Sequence, residues 1–208
     1  MTYTSDVAFT DSVKRIQAER GSRRSYERIE RSMGGFPDTI TPELAAYIAE
    51  RDSIYLATAN AGGQPYIQHR GGPPGFLKVL DPHTLAFADF AGNKQYITTG
   101  NLAENERAFL FLMNYAEGER IKIWGRARVV TNDAALLARL ADDAYHARVE
   151  HAIVFDVEAW NANCPQHIPR LVRATEVAET TSALRRRIAY LEETLRTSKV
   201  AFEPALRA

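Results

Sequence analysis

The sequence predicts a mainly β protein, an antiparallel barrel with flanking helices, and three observations carry that expectation. Six or seven short strand-like segments follow one another between residues 53 and 161. The helical segments among them are few and peripheral, so strands and helices do not alternate as a parallel sheet requires. Finally, 208 residues with 45% hydrophobic and 25% charged content suit a single globular core with helical extensions.

Residues 9–33 are charge-rich, with Val13, Ile16, Tyr26 and Ile29 at loosely helical spacing and Gly21 dividing the segment into two helices. A loop, GGFPD, follows at 34–38. Thr41 then reads as an N-cap, with Pro42 at the first helical position and Glu43 in the first turn. The strands begin with SIYLATAN (53–60), the turn AGGQ and the returning strand PYIQHR (65–70). FLKVL (76–80), TLAFADF (84–90), RAFLFLMNY (107–115), ERIKIWGRARVV (119–130) and HAIVFDVEAWN (151–161) continue the series. Residues 92–105 read as a short helix with irregular ends and 132–147 as a longer one. The contiguous run Phe109–Met113 predicts a strand buried on both faces, one of them against a partner subunit or a covering helix. Near the C-terminus Leu184, Ile188, Leu191 and Leu195 follow 4–3–4 spacing, which suits a helix packed on a partner or on its own barrel. The expected boundaries are a helical extension over 1–50, a barrel domain over 51–170 and a C-terminal helix over 171–208.

Composition narrows the function. Lys+Arg and Asp+Glu both number 26, so no bulk charge points to nucleic acid or an acidic membrane, and any anion site must be local. One cysteine, Cys164, leaves no internal disulfide, and Cys164 with His167 supplies too few ligands for zinc, so no metal site is expected. No apolar run approaches the ~20 residues of a membrane span, and the N-terminus is too polar for a secretory leader. A cytoplasmic protein is expected.

Two segments suggest where an anion could bind. In IQHRGGPPGFLKVLD (67–81), an arginine at a strand end meets glycines that allow close backbone approach and prolines that stiffen it. A rigid wide turn with a surface arginine is the alternative. In the second segment Gly92, Asn93, Lys94 and Gln95 follow a strand at the start of a helix, where backbone N–H groups favour anions; a solvated lysine after a turn is the alternative.

HRGGPPGFLKV (69–79), FADFAGNKQYITTGNLAEN (87–105), RIKIWGRARVV (120–130) and NCPQHI (163–168), in that order and spacing, resemble the pyridoxamine 5′-phosphate oxidase-related, FMN-binding split-barrel family. The resemblance runs from about residue 50 to about 170. It implies a six-stranded split β-barrel and a homodimer with two FMN molecules at the subunit interface. It places Arg70, Gly71 and Lys78, with Gln68 and His69 beside them, at phosphate and ribityl contacts, and Asn93, Lys94 and Gln95 in a second phosphate segment. Arg120 and Lys122 fall on the strand passing the isoalloxazine edge, where a cation would stabilise reduced anionic flavin, although the polar face of an amphipathic strand fits them equally well. Asn163, Cys164 and Gln166 fall on a flavin- or substrate-lining loop. Two departures argue against pyridoxamine 5′-phosphate as substrate: the Arg- and His-rich C-terminal segment is missing, and the second phosphate segment lacks an Arg-Lys pair. The function expected is an FMN oxidoreductase moving electrons between a reduced nicotinamide or similar donor and a small-molecule acceptor. A flavin-binding module without turnover and a haem-binding or haem-degrading split barrel are the alternatives. No catalytic residue is named.

Overall fold

In the computed structural model, residues 2–142, 144–162 and 166–197 are described. They form two compact units: one holds the described residues up to 114 and from 118 to 168, the other holds 115–117 and those from 169 onward.

The first unit opens with a short 3-10 helix (Thr4–Val7), α1 (Asp11–Glu19) and α2 (Arg23–Met33). Gly21 sits between the two helices at φ 79°, in the left-handed region that a side chain disfavours. α3 (Pro42–Ala49) starts as its sequence dictates, with the Thr41 hydroxyl accepting from Leu44 N. The strands are β1 (Ser53–Ala59), β2 (Pro65–Gly71), β3 (Lys78–Asp81), β4 (Thr84–Phe90), β5 (Arg107–Asn114), β6 (Glu119–Val130) and β7 (Val149–Ala162). α4 (Ile97–Glu104) precedes β5 and α5 (Ala134–Leu140) precedes β7.

All seven strands join one sheet in the order β2-β1-β5-β6-β7-β4-β3, every pairing antiparallel. Seven strands replace the expected six, because the short β3 pairs with β4 as a strand in its own right. The expected closure by hydrogen bonds is also corrected: no ladder joins β2 to β3 among the described residues. These two terminal strands are nevertheless consecutive in sequence, joined only by residues 72–77. A ladder whose two ends are six residues apart must be rolled, since those residues reach at most ~25 Å. Ile54 and Leu56, Leu85 and Phe87, Leu110 and Leu112, Ile123, Ile153 and Phe155 accordingly meet in one core, with Leu44 and Ile48 of α3 among them. A smaller cluster of Ala86, Ala88, Ala152 and Val154 lies with Leu140 of α5.

β5 turns one face into the core and a second apolar face outward. Ala108, Leu110 and Leu112 are buried, while Phe109, Phe111 and Met113 are only half-buried. The outer face is partly covered by the N-terminal segment through an aromatic chain. Phe9 meets Tyr26 and Phe36, Phe36 stacks on Trp124 at 5.7 Å, and Trp124 meets Phe109 edge-on at 5.1 Å. Ser5, Arg23 and buried Glu30 are hydrogen-bonded together and pin that segment.

Residues 92–96 do not continue α4 backwards. The Asn93 side chain accepts from Gln95 N, while Lys94 (φ 61°) and Tyr96 (φ 53°) are left-handed. α5 stops at Leu140 instead of running to 147, because the Asp142 side chain takes Ala144 N into a turn.

In the second unit, α6 (Ala174–Thr197) buries none of its residues. No helix among the described residues is long and apolar enough to cross a membrane.

Candidate functional site

The RGGPPG segment spans the seam of the rolled sheet. Its glycines serve close backbone approach: a Cβ on Gly72 would stand 2.7 Å from the Phe76 side chain, and one on Gly75 (φ 77°) 2.9 Å from Ala49 O. Gly72 N and Gly75 N donate to the carbonyls of Asp52 and Arg51. The loop is therefore a rigid corner seated against the end of α3, and the arginine before it faces elsewhere.

Alternation on β2 puts Tyr66, Gln68 and Arg70 on one face and Ile67 and His69 on the other. The first face looks across the seam into a cleft lined by Gln68 and Arg70 together with Asp89, Asn93, Lys94, Gln95 and His151. The enclosed space is about 40 Å³, enough for a group of phosphate size and far too little for a flavin ring. Gln68 Oε1 accepts from Tyr66 Oη (3.2 Å) and Thr98 Oγ1 (3.1 Å), which leaves its amide N–H groups as donors. Arg70 Nη1 pairs with Asp89 Oδ1 at 3.1 Å, and His151 Nε2 lies 3.0 Å from Asp89 Oδ2 without hydrogen-bond alignment. Asp89 and His151 are cross-strand partners. Burial pushes the Asp89 carboxyl above its usual range, against the pull of Arg70 and His151. Arg70 Nε is buried with no hydrogen-bond partner, and Lys94 makes no ion pair among the described residues.

Five of the sequence-named residues, Gln68, Arg70, Asn93, Lys94 and Gln95, therefore share one cleft. His69, Gly71, Lys78, Arg120, Lys122 and Gln166 do not line it. Gln166 lies in an exposed turn, while Asn163 and Cys164 fall outside the described residues. Three of these residues have a common location of their own. His69 pairs with Tyr55, Tyr55 with Phe111 and Phe111 with Lys122, so they form one row across the outer face of four strands. Arg120, opposite Met113, stands in the next row on that face. Desolvation, with Arg120 nearby, holds the Lys122 ammonium below its usual range.

Sequence reasoning passed over Tyr66, Asp89, Thr98 and His151. Asp89 is the one carboxylate inside the apolar run TLAFADF, which was a usable signal, whereas its pairing with His151 depends on a register 62 residues apart that no local pattern shows.

The model of the family described as pyridoxamine 5′-phosphate oxidase matches residues 40–179. The chain belongs to that family. No curated protein matches it. Among solved structures, HupZ of Group A Streptococcus is similar at 18% identity and TM-score 0.50, over 64% of this chain and 99% of that one. An FMN-binding protein from Syntrophomonas wolfei is similar at 14% identity and TM-score 0.45, over 80% and 100%. The FAD-binding protein from Mycobacterium smegmatis is similar at 13% identity and TM-score 0.42, over 61% and 97%. The fold is thus the family's split barrel, with the split at the β2–β3 seam.

Proposed function

We propose that the protein binds FMN, with the terminal phosphate in the seam cleft, and works as a flavin-dependent oxidoreductase on a small-molecule substrate. The observation that carries this reading is the convergence on one cleft of two segments about 25 residues apart, Gln68–Arg70 and Asn93–Gln95. The donor set fits a phosphate: a guanidinium with a buried unpartnered Nε, a free ammonium on Lys94, and the Gln68 amide held by Tyr66 and Thr98. A terminal monophosphate suits a cleft of this size.

Bound FMN would supply hydride and single-electron transfer at its ring. The protein's own part is to anchor, orient and polarise. Arg70 and Lys94 would neutralise the phosphate, and the Asp89 carboxylate would hold the guanidinium across the seam. Arg120 and Lys122 would offer positive charge toward a ring lying on the outer sheet face. That face and the cleft lie on opposite sides of β2, so a flavin touching both within one protomer would have to pass round the strand edge. A homodimer supplies both sets without that detour, one from each subunit. The half-buried Phe109, Phe111 and Met113 on the outer face are the surface such a partner would cover.

The test is the absorption spectrum of the purified protein, with the released chromophore identified by mass, followed by competition of FMN, FAD and riboflavin for the apoprotein. The expected result is a yellow protein releasing FMN, with riboflavin binding more weakly by the phosphate's share. Bound FAD, or equal affinity for FMN and riboflavin, would refute the phosphate assignment. Steady-state oxidation of a reduced nicotinamide by the loaded protein then tests turnover.

A further inference from the structure

α6 is a 24-residue helix with no buried residue. Helices in proteins owe most of their stability to a packed face, and this one carries a sequence poorly suited to standing alone, with Thr180, Thr181 and Ser182 in its interior. Among the described residues its side chains support it through Arg196 with Glu193, Arg186 with the Ser182 hydroxyl, Arg187 over the Tyr190 ring, and Arg173 just ahead of the helix with Glu176 at 3.9 Å. Such exposed contacts contribute little each.

Its large aliphatic residues keep one register, with Tyr190 outside it. With Ile188 at position a of a heptad, a falls on Thr181, Ile188 and Leu195, and d falls on Val177, Leu184 and Leu191. Val177, Leu184, Ile188 and Leu191 are 48%, 58%, 52% and 43% exposed. Leucine at d with a β-branched residue at the central a is the combination that favours two parallel strands. The flanking charges agree. In a parallel in-register pair, each g residue faces the e residue five positions on in the other helix, so Arg187 meets Glu192 of the second copy, twice by symmetry. An antiparallel pair that keeps Leu184 against Ile188 brings Arg187 close to Arg187 of the second copy. Glu192 and Arg187 have no ion pair within the chain among the described residues, and Arg187 stands over the Tyr190 ring at 5.3 Å, a contact that leaves its charge unneutralised.

We infer that α6 is the seam of a parallel, in-register two-stranded coiled coil with α6 of a second copy of this chain, an interface separate from the outer sheet face. The apolar register selects the occupant and the Arg187–Glu192 pairing selects the direction.

Cross-linking of the full chain tests this independently of any dimer made by the barrel. In a Cys164→Ser background, Leu184→Cys places a thiol at a core d position, where two parallel in-register helices bring identical residues within disulfide reach. Ala183→Cys, one residue round the helix at c, is the control. In a glutathione redox buffer Leu184→Cys should form the cross-linked dimer at least tenfold faster than Ala183→Cys. Adding Arg187→Glu should slow it severalfold, and adding Glu192→Arg to that variant should restore the rate. Equal rates for the two cysteine variants would overturn the coiled coil, and failure of the charge swap to restore cross-linking would overturn the parallel register. Far-UV circular dichroism of each variant keeps loss of the helix distinguishable from loss of pairing.

Discussion

Replacing Arg70 by alanine separates what this side chain does for the fold from what it would do for a ligand. Without flavin, Arg70 is an ion-pair partner of Asp89, whose side chain is 9% exposed. Removing the guanidinium leaves a buried carboxylate with His151 beside it and the like charge of Glu150 nearby, at a cost of about 1–3 kcal/mol. The Asp89 carboxyl already sits above its usual range through burial, so losing Arg70 drives it toward the neutral acid and limits the penalty. The sign of the pH dependence follows. A carboxyl with a raised folded-state value contributes its full stability below about pH 4, and that contribution is lost as pH rises through the folded value. The destabilisation by Arg70→Ala should therefore shrink as pH falls toward 4. Asp89→Asn added to Arg70→Ala should recover part of the loss, with a coupling of about 0.5–3 kcal/mol. Urea denaturation of the apoprotein across pH measures all of this. Toward ligand, the lost charge-assisted contact should weaken FMN by about 1.5–3 kcal/mol, roughly tenfold to a hundredfold, while riboflavin binding stays nearly unchanged. Fluorescence titration with both flavins reads the ratio. If FMN and riboflavin weaken equally, Arg70 only holds the seam; if the apoprotein loses no stability, the Asp89 pairing carries nothing.

Three further substitutions probe the scaffold. A Cβ at Gly125 would stand 2.1 Å from Asp156 O and 2.5 Å from Phe155 Cε1, beside the β6–β7 bulge, so Gly125→Ala should cost about 1–3 kcal/mol; an unchanged urea midpoint would show that the bulge relaxes freely. Asp6 is held down at about 2 by its 2.6 Å hydrogen bond from Lys14, so its contribution is present above pH 4 and lost as pH falls through 2. Asp6→Asn should cost at most about 1 kcal/mol after solvent screening, with the two proteins converging in stability at the acid end and in high salt. Leu110→Ala, at a fully buried site of β5, should cost about 2–5 kcal/mol, and a smaller loss in thermal unfolding would mean that the rolled sheet collapses into the space.

What the sequence made legible depended on the range over which the cause acts. The α3 start was readable because Thr41 and Pro42 act within one turn, and β6 because alternation runs unbroken from Ile121 to Ala127. The end of α5 was missed because an aspartate turn at Asp142 competes with helical periodicity that the composition alone favoured. β3 was read as a strand, but its separate place at the end of the ladder was not, since ladder order is a property of pairing and not of any one segment. The contiguous apolar run of β5 divides into a core face and a partly open aromatic face, and what covers the second is not written in the strand itself. Within the cleft, residue types were legible because each segment is local, one the end of strand β2 and the other a turn. The Asp89–His151 pair and the orientation of Gln68 were not, because both depend on contacts between distant strands.

The seam has one more consequence. Backbone ladders demand registry: shift a strand by two residues and every partner changes. Between β2 and β3 no ladder among the described residues fixes a registry; a six-residue strap joins them, and Arg70 of β2 reaches Asp89 on the neighbouring β4. Such a joint tolerates insertion and deletion where a ladder would not, since lengthening the strap costs only loop entropy, about 0.6 kcal/mol per doubling. Its strength answers to dissolved salt and to protonation, variables to which a row of amide hydrogen bonds is nearly indifferent. The barrel can thus vary the mouth of its cleft from one sequence to the next, in size and in grip, while the other six junctions keep the strands in step.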